Sequence, residues 1–180
     1  MEVRSFYFKL QKQLVLICFL GSFILHSPDC HEIYLRDWVR DNSGCTIVSV
    51  DYRLGEVYPV ALQDVLDAYY WLKSGSEQVQ QVLGFQPTKI VAAGDSAGAF
   101  LVYTTCLILN DMKTFATKNQ LCEPPPLPYA LVSIYGCFTF KNPCIFMSNT
   151  FLDFFLPPSV IRIGFGSLVK GCDRYSWNSE

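Results

Sequence analysis

The sequence predicts an α/β protein built on an open, mostly parallel sheet that helices cover on both faces. Short apolar runs alternate four times with segments of helical periodicity, which is the pattern of such a sheet. The run Cys45–Val50 is rich in β-branched residues and carries no charge, as expected of a strand buried on both faces. Between Ile90 and Leu109, a strand, a turn and a helix follow one another without a spacer.

The composition excludes several classes of protein. The 180 residues are 51% hydrophobic and 17% charged, with a formal net charge of −2, so the chain is neither disordered nor of low complexity. Because 14 Lys and Arg are outnumbered by 16 Asp and Glu, no nucleic-acid partner is expected. The charged fraction is below the usual value of about 25%, which indicates an apolar surface or an incomplete domain.

The N-terminal region allows two interpretations. We predict an extension over residues 1–13 and a buried strand over Leu14–Cys18. The apolar run Leu14–Leu25, which follows three basic residues, also resembles a signal peptide or membrane anchor. That run is shorter than the roughly 20 residues a spanning helix needs, and no small-x-small cleavage site follows it.

A helix over His31–Asp41 and the strand Cys45–Val50 come next. Pro59 can begin a helix that ends at Lys73–Gly75. Five residues at helical spacing form its inward stripe: Leu62, Val65, Leu66, Tyr69 and Leu72. A second short helix is predicted over Glu77–Leu83.

The second half of the chain begins with a strand over Ile90–Ala93 and an apolar helix over Ala97–Leu109. The polar and then proline-rich segment Asp111–Pro128 predicts a surface loop. A strand over Ala130–Tyr135 follows it, and Phe151–Lys170 is predicted to contain a loop and an apolar helix.

The cysteines predict neither a disulfide scaffold nor a metal site. None of the eight forms a CxxC pair, and the two histidines, His26 and His31, lack a second cluster at ligand spacing. We therefore expect buried thiols in a reducing, cytoplasmic compartment, with no metal and no cofactor. The eight positions are Cys18, Cys30, Cys45, Cys106, Cys122, Cys137, Cys144 and Cys172.

Residues 94–98 read Gly-Asp-Ser-Ala-Gly and match the G-x-S-x-G pattern of a nucleophile elbow. In this strained turn, Gly94 and Gly98 avoid a clash, and the hydroxyl of Ser96 is lifted clear of the sheet. Asp95 completes the turn, and the N–H of Ala97 points to where an attacked carbonyl would develop negative charge. The alternative is a glycine-rich phosphate-binding turn, but the sequence has neither G-K-[ST] nor G-x-G-x-x-G.

The chain from about Leu14 to Gly171 resembles the α/β-hydrolase fold-3 group and, within it, the hormone-sensitive lipase branch. The segment around Asp51–Leu54 and the helix after it are similar to the family's Asp-Tyr-x-Leu region, and Ala92–Ala99 is similar to its elbow. Three later segments resemble the lipase branch specifically: Tyr129–Gly136, Phe151–Asp153 and Leu156–Val160.

This resemblance implies an α/β-hydrolase fold in which residues 14–180 form part of a catalytic domain. It implies a serine lipase or esterase, with Ser96 as nucleophile and acylglycerols or other carboxylic esters as substrates, in lipid degradation. The implied partners are a lipid or small ester and a lipid-droplet or membrane surface, without a cofactor.

The resemblance also places an oxyanion loop, His-Gly-Gly-Gly-Phe in the family, on Phe19–Phe23. Gly21 and Phe23 keep the pattern, whereas Phe19, Leu20 and Ser22 depart from it. Since the donors are backbone amides, the resemblance implies an oxyanion hole formed by Gly21, Ser22 and Ala97. The side chains of Leu20 and Ser22 disfavour the positive φ that glycine allows.

The family's catalytic acid and histidine follow the serine in the chain, whereas both histidines here precede Ser96. Asp111, Asp153 and Asp173 follow it, but none stands in the family's acid motif, and we assign none of them as catalytic. We expect a fragment or truncated product of a lipase or esterase. The alternatives are a non-catalytic hydrolase-like protein that binds a lipid or a partner, and a small membrane-anchored protein.

Overall fold

A computed structural model describes residues 3–6, 14–19, 28–42 and 44–136 of the chain. The strands in these ranges are β1 (Val3–Phe6), β2 (Leu14–Phe19), β3 (Cys45–Val50), β4 (Lys89–Asp95) and β5 (Ala130–Ile134). The helices are α1 (Glu32–Asp41), α2 (Val60–Lys73), α3 (Glu77–Leu83) and α4 (Ala97–Asn119), and a short 3₁₀ turn over Pro28–His31 precedes α1. The predicted helix within Phe151–Lys170 lies outside the described residues.

The strands form one sheet in the order β1-β3-β2-β4-β5. Strands β3, β2, β4 and β5 are parallel, and β1 pairs antiparallel with β3. The predicted mostly parallel sheet is therefore confirmed. The predicted strand Leu14–Cys18 is also confirmed, since β2 comprises these residues and Phe19. The rest of the alternative anchor run, to Leu25, lies outside the described residues. Strand β1 lies within the predicted N-terminal extension, where no strand was predicted.

Helices cover both faces of the sheet. On one face, Val48, Val50, Ile90 and Ala92 pack in the core with side chains of α2, α3 and α4. On the other face, Cys45, Ile47 and Ala93 pack with Leu35 and Val39 of α1. Because successive residues of a strand point to opposite faces, β3 and β4 supply both cores, and all six residues of β3 are buried.

The predicted inward stripe of α2 is confirmed. Leu62, Val65, Tyr69 and Leu72 are buried, and Leu66 packs against them as a partly buried residue. The hydroxyl of Tyr69 donates a hydrogen bond of 2.5 Å to the carbonyl oxygen of Pro126. This contact ties the proline-rich segment before β5 to α2.

Helix α4 continues to Asn119, so the prediction of a loop starting at Asp111 was wrong for its first nine residues. The segment is polar because it lies at the surface, with only Ala116 buried in its last turns. Polar side chains here donate to carbonyl oxygens of the same helix: Thr114 donates to the Asn110 oxygen and Asn119 to the Phe115 oxygen. The prolines that break helices begin only at Pro124.

Of the helices in the described ranges, none combines the length and the apolar character that crossing a membrane requires. Cys30, Cys45, Cys106 and Cys122 are thiols that form no disulfide with one another.

We predict that Leu101→Ala lowers the free energy of unfolding by about 2–5 kcal/mol, because it leaves a cavity in the core between α4 and the sheet. Leu101 is 0% exposed, whereas Leu107 on the same helix is 47% exposed. Leu107→Ala is therefore the matched control and should cost less than about 1 kcal/mol. Urea unfolding followed by circular dichroism measures both variants. Equal losses in the two would contradict the packing described here.

Candidate active site

The turn between β4 and α4 consists of one residue. Strand β4 ends at Asp95, α4 begins at Ala97, and Ser96 lies between them with φ 51° and ψ −118°. A non-glycine residue with positive φ is strained, and it persists only where the surrounding structure holds it in place. The helix begins at once, since the N–H of Phe100 donates to the Ser96 carbonyl at 3.2 Å.

The close approach of β4 and α4 requires glycine at position 94. A Cβ atom added to Gly94 would lie 2.5 Å from the carbonyl carbon and oxygen of Gly98 and 2.7 Å from the nitrogen of Ala99. All three neighbours are backbone atoms, so they cannot move aside as a flexible side chain would. The sequence predicted this steric need from the G-x-S-x-G spacing.

The end of β5 holds the turn through two hydrogen bonds. The N–H of Ser96 donates to the carbonyl oxygen of Ile134 at 3.0 Å. The hydroxyl of Tyr135 donates to Oδ2 of Asp95 at 2.6 Å. Tyr135 itself has a positive φ of 39°. Asp95 at the end of β4 and Ser96 in the turn are therefore bonded to Tyr135, which follows β5, and to Ile134, which ends it.

Asp95 is a buried carboxylate with a tyrosine from each of two elements near it. The hydrogen bond to Asp95, together with burial and the carboxylate's charge, raises the pKa of Tyr135 to about 12. Burial raises the pKa of Tyr52, and the nearby charges of Asp95 and Asp51 raise it further. Both tyrosines therefore hold their hydroxyl protons more tightly than an ordinary tyrosine does.

Tyr52 belongs to the loop between β3 and α2, which an ion pair fixes at the same edge of the sheet. The backbone N–H of Arg53 donates to Asp64 at 2.9 Å, and its guanidinium donates to both carboxylate oxygens at 2.7–3.2 Å. Burial alone would raise the pKa of Asp64, but the hydrogen bonds and charge of Arg53 outweigh it and lower that pKa. The loop is therefore anchored to the first turns of α2.

The structure brings five of the predicted site residues together: Gly94, Asp95, Ser96, Ala97 and Gly98. The other two, Gly21 and Ser22, lie outside the described residues. The last residue of β2, Phe19, pairs with Gly94.

Asp111 lies far from Ser96, and His31 forms a hydrogen bond with another residue. Asp111 is on the exposed second half of α4, about 22 Å along the helix from Ser96 at 1.5 Å per residue. His31 ends the 3₁₀ turn before α1, where its Nδ1 shares a hydrogen bond of 2.7 Å with the Tyr34 hydroxyl. Within the described ranges, no group of three or more His, Cys, Asp or Glu side chains could hold a metal ion.

Sequence reasoning did not assign Tyr135 or Tyr52 to the site. The signal that could have found them is Asp95, which follows an apolar strand directly and is therefore buried. A buried carboxylate needs a hydrogen-bond donor. The sequence alone did not show which donor lies close, because Tyr135 is 40 residues away.

A mostly parallel sheet with a strand–turn–helix site at a G-x-S-x-G motif is typical of α/β hydrolases. Comparison with known proteins agrees with this class. Residues 17–177 match the model of a protein family described as having the alpha/beta hydrolase fold. The chain therefore belongs to this α/β-hydrolase family. Residues over nearly the whole chain contribute to the match, so it does not depend on the elbow alone.

Two curated relatives are similar to this chain in sequence. An arylesterase from Saccharolobus solfataricus is 32% identical over 140 residues, which cover 76% of this chain and 41% of the relative. Human hormone-sensitive lipase is 35% identical over 89 residues, covering 48% of this chain and 8% of the lipase. The predicted likeness to the hormone-sensitive lipase group is thereby confirmed.

Among solved structures, a fungal esterase from Rhizomucor miehei superposes with a TM-score of 0.68 at 21% identity, over 89% of this chain and 46% of its own. An esterase from Pyrobaculum calidifontis gives a TM-score of 0.53 at 30% identity, over 61% of this chain and 35% of its own. The chain thus spans less than half the length of each of these four proteins.

We predict that Gly94→Ala lowers the free energy of unfolding by about 3 kcal/mol or more, because the new methyl group forces β4 and α4 apart. Gly44→Ala is the matched control, since an added Cβ there meets nothing within 4 Å and the backbone has no positive φ. It should change stability by less than about 0.5 kcal/mol. Chemical denaturation measures both. A neutral Gly94→Ala variant would show that the two elements are further apart than described.

Proposed function

We propose that this chain forms the nucleophile-bearing part of a serine carboxylic-ester hydrolase, with Ser96 as the nucleophile. The observation that supports this is the conformation of Ser96, a strained single-residue turn between a buried parallel strand and a helix. In open α/β sheets, the carboxyl ends of the strands form the edge at which ligands bind. Strain at that position is expected of a group held for a reaction.

In the proposed reaction, the Ser96 hydroxyl oxygen attacks the carbonyl carbon of an ester, and a base takes the hydroxyl proton. The carbonyl oxygen becomes an oxyanion, which accepts a hydrogen bond from the N–H of Ala97 at the start of α4. The amides of Gly21 and Ser22 are the further donors that we propose. The tetrahedral species collapses to an acyl-serine as the alcohol leaves with the proton, and water then hydrolyses the acyl-serine by the same steps.

In the family, the histidine that acts as the base follows the serine in the chain. No histidine follows Ser96 in these 180 residues. The sequence has histidines only at positions 26 and 31, both before Ser96. A serine hydroxyl is a weak nucleophile without an adjacent base. We therefore expect the 180-residue chain, taken alone, to be inactive.

The substrate class follows from the relatives, whose names are arylesterase, Lipase 2 and hormone-sensitive lipase. We propose acylglycerols or other carboxylic esters of lipids, presented at a lipid-droplet or membrane surface in the cytoplasm. The low charged fraction of 17% is in keeping with a protein that works on apolar substrates.

The second candidate function is binding without catalysis. Phe19, Leu20 and Ser22 stand where the family has His and two glycines, and no histidine follows Ser96. A chain with these changes could keep the fold and an ester- or lipid-binding pocket without hydrolysing its ligand.

The test compares two proteins with p-nitrophenyl butyrate as the substrate. In the product of the complete transcript, whatever its length, we expect Ser96→Ala to lower kcat/KM by at least about 10³-fold, because the nucleophile is lost. In the 180-residue chain, we expect the wild type and Ser96→Ala to be equally inactive.

The control variant is Ser74→Ala, which removes a serine at the far end of α2 and should leave activity unchanged. Activity that survives Ser96→Ala in the complete product would refute Ser96 as the nucleophile. A complete product that binds the ester without hydrolysing it would favour the second candidate function.

A further inference from the structure

Asp95 precedes the proposed nucleophile and is only 7% exposed. Its Oδ2 accepts a hydrogen bond of 2.6 Å from the hydroxyl of Tyr135, the residue that follows β5. A hydrogen bond to a carboxylate is stronger than one between neutral groups. The contact therefore fixes the side chain of Asp95 to a different element from the one that carries it.

This bond acts on the same peptide segment as the backbone bond from Ser96 to Ile134. Asp95 pairs with Ile134 in the ladder between β4 and β5, so the Ser96 N–H bond extends that ladder by one step. The backbone bond acts on the main chain of Ser96, and the bond from Tyr135 acts on the side chain of Asp95. Together they hold a residue with φ 51° that would otherwise relax.

We infer that Tyr135 is a positioning residue of the site and acts on Ser96 through Asp95. The inference deepens the proposed function and rests on Ser96 being the nucleophile. The Tyr135 hydroxyl holds the Asp95–Ser96 segment so that the Ser96 hydroxyl and the Ala97 N–H keep their directions at the edge of the sheet. It also places a hydrogen-bond donor against a carboxylate that lies close to the proposed oxyanion.

Tyr52 also lies near Asp95. It is buried in the β3–α2 loop, and Asp95 and Asp51 both contribute to the rise in its pKa. Tyr135 is 73% exposed, and its backbone lies in the positive φ region. Tyr52 is held by burial in the core, whereas Tyr135 is exposed among the described residues and donates its hydroxyl to Asp95.

Hydrogen exchange at the Ser96 amide tests the inference in the 180-residue chain without any need for catalysis. A sample labelled with ¹⁵N-serine also reports Ser49, which lies in β3 between two neighbouring strands. Since global unfolding exposes both amides, the ratio of the Ser96 exchange rate to the Ser49 rate isolates local opening of the turn. We expect Tyr135→Phe to raise this ratio by roughly tenfold, because a bond to a charged group is lost.

Three variants complete the design. Tyr129→Phe removes a hydroxyl just before β5 and should leave the ratio unchanged. Asp95→Asn keeps an acceptor oxygen for Tyr135 and should recover most of the protection that Asp95→Ala loses. A ratio within about twofold of the wild-type value in Tyr135→Phe would overturn the inference.

A kinetic measurement separates positioning from general support of the fold. In the complete transcript product, Tyr135→Phe should lower kcat by roughly tenfold with little change in KM, since the orientation of the nucleophile is affected and ester binding is not. An unchanged kcat would count against the inference even if exchange increased. Loss of the proposed function would appear separately, as activity that survives Ser96→Ala.

Discussion

The close contact between the end of β4 and the first turn of α4 is the constraint on which the rest of the site depends. Without a side chain at Gly94, the strand can lie directly against the backbone of Gly98 and Ala99. The chain must then reverse from strand to helix in one residue, and this forces Ser96 to a φ of 51°. The same reversal directs the first N–H groups of α4 toward the edge of the sheet, where helix geometry leaves them without an intrahelical acceptor.

The parallel arrangement of the sheet collects further groups at this edge. Strands β2, β3, β4 and β5 all end there, so the segments that follow them start close to one another. The loop after β3 carries Tyr52 and is anchored by the ion pair of Arg53 and Asp64. The residue after β5 is Tyr135. Although these groups are far apart in sequence, the topology brings them to the turn that holds Ser96.

Much of the fold could be predicted because burial leaves a periodic signal. The stripe of α2 and the apolar run of β3 followed from that signal, and both are buried as expected. The end of α4 could not be predicted in this way. Polarity from Asp111 onward indicated a loop, but threonine and asparagine side chains there donate to carbonyl oxygens four residues back. Strand β1 has four residues, two of them polar, and gave no distinct pattern.

The residues of the site also differ in whether the sequence could predict them. The residues from Gly94 to Gly98 were predicted because their chemistry is local, set by sterics over five consecutive positions. Tyr135 was not, because its contact with Asp95 spans 40 residues and depends on the register between β4 and β5. A motif predicts the conformation of residues that are close in sequence. The burial of Asp95 predicts that a hydrogen-bond donor lies near it, but not which residue that donor is.

The two bonds between β5 and the turn act in both directions. Within the described residues, β5 is paired along one side with β4, and four of its five residues are exposed. The bond that Ser96 donates to Ile134 and the bond that Asp95 accepts from Tyr135 therefore hold the end of β5 as well as the turn. Because a coupling free energy between two elements is reciprocal, whatever steadies β5 also steadies Ser96. The geometry of the proposed nucleophile thus depends on the strand beside it as well as on the five residues of its own motif.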